Sequence, residues 1–170
     1  MKKLVLPALL ALTLAACSST GPENGAASVT DRGTGVATVT AGSASGSGIA
    51  ALTDPNNILS KRSVFFDFDS YVIKQEARAL VEAHARFLVQ NPQMRMLIQG
   101  NTDERGSREY NLALGQKRAD VVKQALMLLG AKEAQIESVS LGEEKPRCED
   151  RTEACYGENR RGDMLYSGEF

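Results

Sequence analysis

The chain contains no tryptophan, a single histidine, and aromatic residues at only 5%. Proteins that hold sugar rings stack them on exposed aromatic faces, so a glycan-stacking platform is not expected. There is no basic excess either: 20 Lys+Arg stand against 21 Asp+Glu, a formal net charge of −1. That balance excludes nucleic acid and an anionic lipid surface as the main electrostatic partner. No serine or cysteine sits in a recognisable nucleophile setting. The lone His84 falls in the apolar stripe of a helix, and Gly106-Ser107 lacks the glycines and lysine of a phosphate loop. An enzyme is not expected, nor a metal or cofactor site. What is present, 170 residues of which 42% are hydrophobic, suffices for one domain with a proper core.

The first 16 residues have the three parts of a bacterial export signal. Lys2 and Lys3 are the basic start, Leu4–Leu14 the apolar run, and Ala15-Ala16 the small residues before cleavage. That run is shorter than the roughly 20 residues a membrane-spanning helix needs. Leu14-Ala15-Ala16-Cys17 resembles a lipobox, which would make Cys17 a lipidated first residue; several acyl chains on one residue anchor stably. By the same resemblance to bacterial lipoproteins, Ser18 rather than Asp after that cysteine implies the outer membrane. Residues 17–55 then read as the lipidated cysteine and a flexible linker. Gly, Ser, Thr and Ala dominate this stretch, which cannot bury enough surface to offset chain entropy. A weak Val/Thr alternation at Val36–Thr40 is outweighed by that composition.

Residues 56–170 form the predicted domain. Ser63–Phe68 reads as a strand with Val64, Phe66 and Phe68 on one face. A helix follows from about Ile73 to Gln90, closed by Asn91-Pro92, then a strand at Met94–Gln99. Ser107 is a plausible N-cap for a long helix to about Leu129, with Gly130 as its stop. A helical turn near Lys132–Ile136, a strand at Glu137–Leu141 and a last strand near Asp163–Tyr166 complete the order β-α-β-α-β-β. This favours an α/β (α+β) sandwich with two main helices on one face of a small mixed sheet. Cys148 and Cys155 flank a polar loop and, in an oxidising compartment, favour a disulfide over zinc, for which no histidine lies nearby.

Three features ask for a functional reading. Asp67 and Asp69, on one side of the strand by alternation, read either as the acid–base pair of a wall hydrolase or as corner carboxylates at the strand-to-helix turn. The corner role is the simpler. The loop before the long helix is crowded with Asp103, Glu104 and Arg105. Within that helix, Asn111, Gly115 and Arg118 share one stripe, with Gly115 costing about 0.5–1 kcal/mol relative to Ala. Either Gly115 opens a polar-walled notch, or it lets the first helix pack closely and leaves Arg118 solvated.

The stretch from Val64 to Arg161 resembles the OmpA-like peptidoglycan-binding domain family. FFDFDSY at Phe65–Tyr71, GNTDERGSREYNLALGQKRADVV at Gly100–Val122, SLGEEKP at Ser140–Pro146 and ENRR at Glu158–Arg161 carry the resemblance. The lipobox and linker match the family's lipoprotein branch. The resemblance implies noncovalent binding of peptidoglycan through diaminopimelate in its stem peptides, tethering the outer membrane to the wall. It places Asp103 and Arg118 on the diaminopimelate, with the backbone N–H groups of Asp67 and Phe68 and the side chain of Asn111 lining the site. Arg160 is either an ion-pair residue or a ligand contact. The same branch implies TolB and the other Tol components as partners. Since Arg118 lies about 16 Å along its helix from Ser107, the Asp103 loop must fold back over that helix. The cysteines, Gly162 in the last strand and the extension Ser167–Phe170 depart from the family pattern.

Overall fold

A computed structural model describes residues 44–170, with side chains from residue 49 onward. The expected export signal, Cys17 and the alternation at 36–40 lie outside the described residues. The order is α1 (Ala44–Thr53), β1 (Ser63–Phe65), α2 (Arg78–Gln90), β2 (Met96–Asn101), α3 (Arg108–Leu128), β3 (Ile136–Gly142), α4 (Glu153–Asn159) and β4 (Arg161–Tyr166). The four strands form one sheet ordered β1-β4-β2-β3, antiparallel except for the β2–β3 pair.

Register explains where the helices sit. One face carries Met96 beside Tyr166 and Ile136, then Ile98 beside Met164 and Ser138, then Gly100 beside Gly162 and Ser140. α2 and α3 both pack on this face, burying Leu80, Val81, Leu88, Val122 and Leu126. The apolar rows at one end make the core. The row of Gly162, Gly100 and Ser140 at the other end is almost free of side chains, so α3 settles onto the sheet there. A Cβ on Gly100 would lie 1.8 Å from the Gly115 carbonyl oxygen, and one on Gly115 would lie 2.8 Å from the Gly100 oxygen. Gly115 therefore serves close packing, but against β2 rather than against the first helix.

Helix ends follow their sequence signals. Ser107 caps α3 by accepting the Tyr110 N–H. Gly130, at φ +102°, reverses the chain after it, so that the Ala131 N–H reaches the Leu126 carbonyl. His84 is buried in α2. Its Nε2 faces the Lys61 carbonyl at 2.9 Å and must donate, so Nδ1 accepts from the Tyr166 hydroxyl at 2.8 Å.

Several local expectations are corrected. The first strand stops at Phe65, and Phe68, expected on its inner face, is 58% exposed. Gly162 does not interrupt the last strand: it is paired on both sides, with Val64 and Gly100. Composition between the two cysteines predicts a loop, yet α4 begins there, capped by Thr152, whose hydroxyl accepts the Cys155 N–H. Cys148 and Cys155 are joined as a disulfide. Helical order also starts within the stretch read as linker. At the end of α1, Leu52 reaches the core, and its carbonyl accepts from Arg62 Nη2 at 3.1 Å.

Candidate functional site

The loop leaving β1 is shaped by what grips its carbonyls. Phe66 is still paired, its N–H donating to the Arg160 carbonyl. Beyond it, Arg160 Nε donates to the Phe66 carbonyl and Arg118 donates to those of Asp67 and Ser70. Asp69 takes a left-handed conformation, φ +51°, which Asp tolerates better than most residues. The turn swings Phe68 outward, where the Arg105 guanidinium lies 4.1 Å over its ring. Neither the Asp67 nor the Phe68 N–H has a partner among the described residues.

Arg118 is fully buried, at 0% exposure. Nε, Nη1 and Nη2 donate to the carbonyls of Ser70, Asn101 and Asp67 at 2.8, 3.0 and 3.1 Å. A guanidinium has five N–H groups, so two remain for a ligand. Burial lowers its pKa to about 10, against the opposing pull of Asp103; it stays a cation at neutral pH. The solvated-charge reading of Arg118 is thus wrong: three backbone carbonyls replace water.

Asp103 is 4% exposed. Its Oδ2 accepts from Arg105 Nη2 at 2.6 Å and Arg160 Nη1 at 3.1 Å, while Oδ1 accepts only the Arg105 N–H. Burial alone would raise the Asp103 carboxyl, but the Arg105 and Arg160 hydrogen bonds outweigh it and hold it below the usual carboxylate range. Arg160 is buried as well, and Nη2 donates to Glu153 at 2.7 Å.

These side chains line one cavity of about 190 Å³. Arg118 leans back along α3 while the 102–106 loop folds over the helix start, so Asp103 and Arg118 do meet there. Asn111 also lines it, donating to Glu143, and the Tyr110 hydroxyl donates to Asp69 at the rim. Three guanidiniums (Arg105, Arg118, Arg160) face two carboxylates (Asp69, Asp103), a surplus of one positive charge. Next to it, sharing Thr102, lies a cleft lined by Glu104, Glu143, Glu144, Glu149 and Asp150.

Of the residues singled out, Asp103, Arg118, Asn111 and Phe68 converge on the cavity. Asp67 contributes backbone only; its carboxylate is 72% exposed and pairs with Lys74 at 2.6 Å. Because β1 ends early, Asp67 and Asp69 do not face one site as alternation suggested, and the hydrolase pair loses its geometry. Arg105 and Tyr110 also line the cavity, and Glu153 holds Arg105 and Arg160 from outside it, none of which sequence reasoning assigned to the site. Arg105 had a signal in the charged loop, whereas Glu153 lies on a helix with no apolar period to announce it.

Residues 65–160 match the model of the OmpA family. A peptidoglycan-associated lipoprotein of Pseudomonas putida is 38% identical over 161 residues, covering 92% of this chain and 93% of that one. A protein of the same name from Pasteurella multocida is 47% identical over 104 residues, 61% of this chain and 69% of its own. The crystal structure of the peptidoglycan-associated lipoprotein from Burkholderia pseudomallei superposes with a TM-score of 0.68 at 56% identity, covering 69% of this chain and 99% of that one. The C-terminal domain of Helicobacter pylori MotB, at 21% identity and a TM-score of 0.58 over 63% of this chain and 84% of that one, shares the fold.

Proposed function

This chain belongs to the OmpA family, among its peptidoglycan-associated lipoproteins, and from that premise we propose that it binds the cell wall through diaminopimelate and tethers the outer membrane to it. The observation that carries the reading is the buried Asp103 sharing one cavity with Arg118. Diaminopimelate in an uncross-linked stem presents an ammonium group and carboxylate together. The two spare N–H groups of Arg118 and the unpartnered N–H groups of Asp67 and Phe68 suit the carboxylate. Asp103 Oδ1, which accepts only one backbone N–H, has lone pairs left for the ammonium. Asn111 lines the wall between them.

In this reading Cys17 carries the acyl chains in the outer membrane, and residues 18–43 belong to the reach between lipid and wall. A coil of the 37 residues from Ser18 to Asp54 would span roughly 30–35 Å; helix α1 shortens that reach. One small polar site binds modestly, and many copies along a repeating wall gain through effective concentration. The kinship of GNTDERGSREYNLALGQKRADVV with the lipoprotein branch supports a place in the Tol-Pal system of envelope integrity and division. TolB is then a periplasmic partner that competes with the wall.

The test is sedimentation of the detergent-solubilised full chain with purified diaminopimelate-type sacculi. Wild type should pellet with the wall, Asp103→Asn and Arg118→Gln should stay in solution while circular dichroism reports them folded, and added TolB should release wild type. Equal pelleting by folded wild type and both variants would reject the site. Loss of glycan from the sacculi would instead revive a hydrolase.

A further inference from the structure

Two guanidiniums and two carboxylates close a ring at the cavity mouth. Asp103 holds Arg105 and Arg160 from inside, at 2.6 and 3.1 Å. Glu153 holds the same two cations from outside, at 3.4 Å to Arg105 Nη1 and 2.7 Å to Arg160 Nη2. The inner carboxylate side chain is 5% exposed and the outer one 66%. Arg160 has a further anchor on the Phe66 carbonyl. Arg105 otherwise rests between the rings of Phe68 and Tyr156, at 4.1 and 4.3 Å, so apart from Asp103 and Glu153 no carboxylate or carbonyl among the described residues holds its guanidinium.

Glu153 is the first residue of α4, and a helix of 7 residues has little stability of its own. Its position is imposed from two sides. The disulfide ties Cys155 back to Cys148. Asn159, at the far end of α4, accepts the Cys148 N–H and donates to the Cys148 carbonyl. Loop and helix thus form one small clamp that presents Glu153 to the ring.

Charge explains what the clamp does. The cavity lining carries one surplus positive charge, which repels an ammonium group and favours a purely anionic ligand. Glu143 answers part of that surplus through Asn111 on the cavity wall, and Glu153 offsets the charge of the two guanidiniums it shares with Asp103, leaving Asp103 able to accept a cation. We propose that Glu153, held by the Cys148–Cys155 disulfide, is a positioning residue that makes this cavity select a ligand bearing both ammonium and carboxylate. This rests on the diaminopimelate reading above.

The experiment compares binding of the detergent-solubilised full chain to diaminopimelate-type sacculi before and after acetylation of their free amines, which removes the ammonium and keeps the carboxylates. Wild type should prefer untreated sacculi by about fivefold, within the coupling seen between neighbours in one ion-pair network. Glu153→Gln should abolish that preference with an unchanged melting temperature, a selectivity change that a merely structural role would not produce. Reduction with dithiothreitol should abolish it in wild type and add nothing in Glu153→Gln. A Glu153→Gln protein with the wild-type preference overturns the proposal, as does a wild type that binds both wall preparations equally, although wall binding itself then stands. A wild type that binds neither preparation removes the peptidoglycan reading and this one together.

Discussion

At the scale of single residues, two buried basic groups make opposite demands on pH and shape. His84 is held neutral between the Lys61 carbonyl and Tyr166, and burial lowers its pKa from 6.5 to about 4. Between those values the unfolded chain binds the proton and the folded chain does not, so stability falls as pH falls through that window. At 1.36 kcal/mol per unit, the loss from pH 7 to pH 4.5 is about 2–3 kcal/mol. Urea unfolding at pH 7 and at pH 4.5 measures it, and His84→Phe should flatten the difference. Asp103, whose pKa is depressed, loses its contribution only at lower pH, so the two effects separate on the pH axis. Arg118 demands shape: a lysine there carries the charge but cannot span the carbonyls of Ser70, Asn101 and Asp67 from one ammonium. Arg118→Lys should destabilise by about 1–3 kcal/mol through an unsatisfied carbonyl and weaken wall binding, both read on the same purified protein.

At the scale of elements, the contact of α3 with the sheet is set by missing side chains. A methyl on Gly115 would press on a backbone oxygen at 2.8 Å and on Ser140 Oγ at 2.3 Å. The serine can rotate away but the strand cannot, so the helix must lift. Gly115→Ala should cost about 1–3 kcal/mol as overpacking, despite its better helix propensity. It should also weaken wall binding, because Arg118 rides on the same helix one turn further on. α4 was not legible in the same way. Seven residues including Gly157, with no apolar stripe, leave only the Thr152 cap as a signal, and the cysteines read as loop closure without showing that a helix fills the loop. Replacing both cysteines by serine should cost about 2–3 kcal/mol in the chain-entropy picture, measured as a lower urea midpoint. Phe68 fails as a strand residue for a related reason. Alternation is a local rule, and carbonyl contacts from Arg118, 48 residues from Ser70 along the chain, bend the loop that alternation would extend.

At the scale of the whole molecule, the proposed function makes affinity a property of a tethered domain facing a repeating wall. Walls with lysine in place of diaminopimelate keep the ammonium and lose the carboxylate that Arg118 would receive. Sedimentation with lysine-type sacculi should therefore fall by an order of magnitude or more, since a charge-assisted pair is worth roughly 1.5–3 kcal/mol.

The amphipathic period expected over Ile73–Gln90, the Ser107 and Gly130 end signals of the long helix and the strand expected at Met94–Gln99 are local properties of the chain, legible in the sequence alone. The charged loop and the polar stripe drew attention to Asp103 and Arg118, but pattern left their roles open, and the resemblance to the OmpA-like family is what made them candidates. Folding decided which charges are shared. That Arg118 binds three carbonyls, that Asp103 and Glu153 divide two arginines, and that Asp67 and Asp69 part company all depend on segments far apart in sequence. Such contacts follow from where the glycine-lined row lets α3 settle on the sheet, a distance that no periodicity encodes.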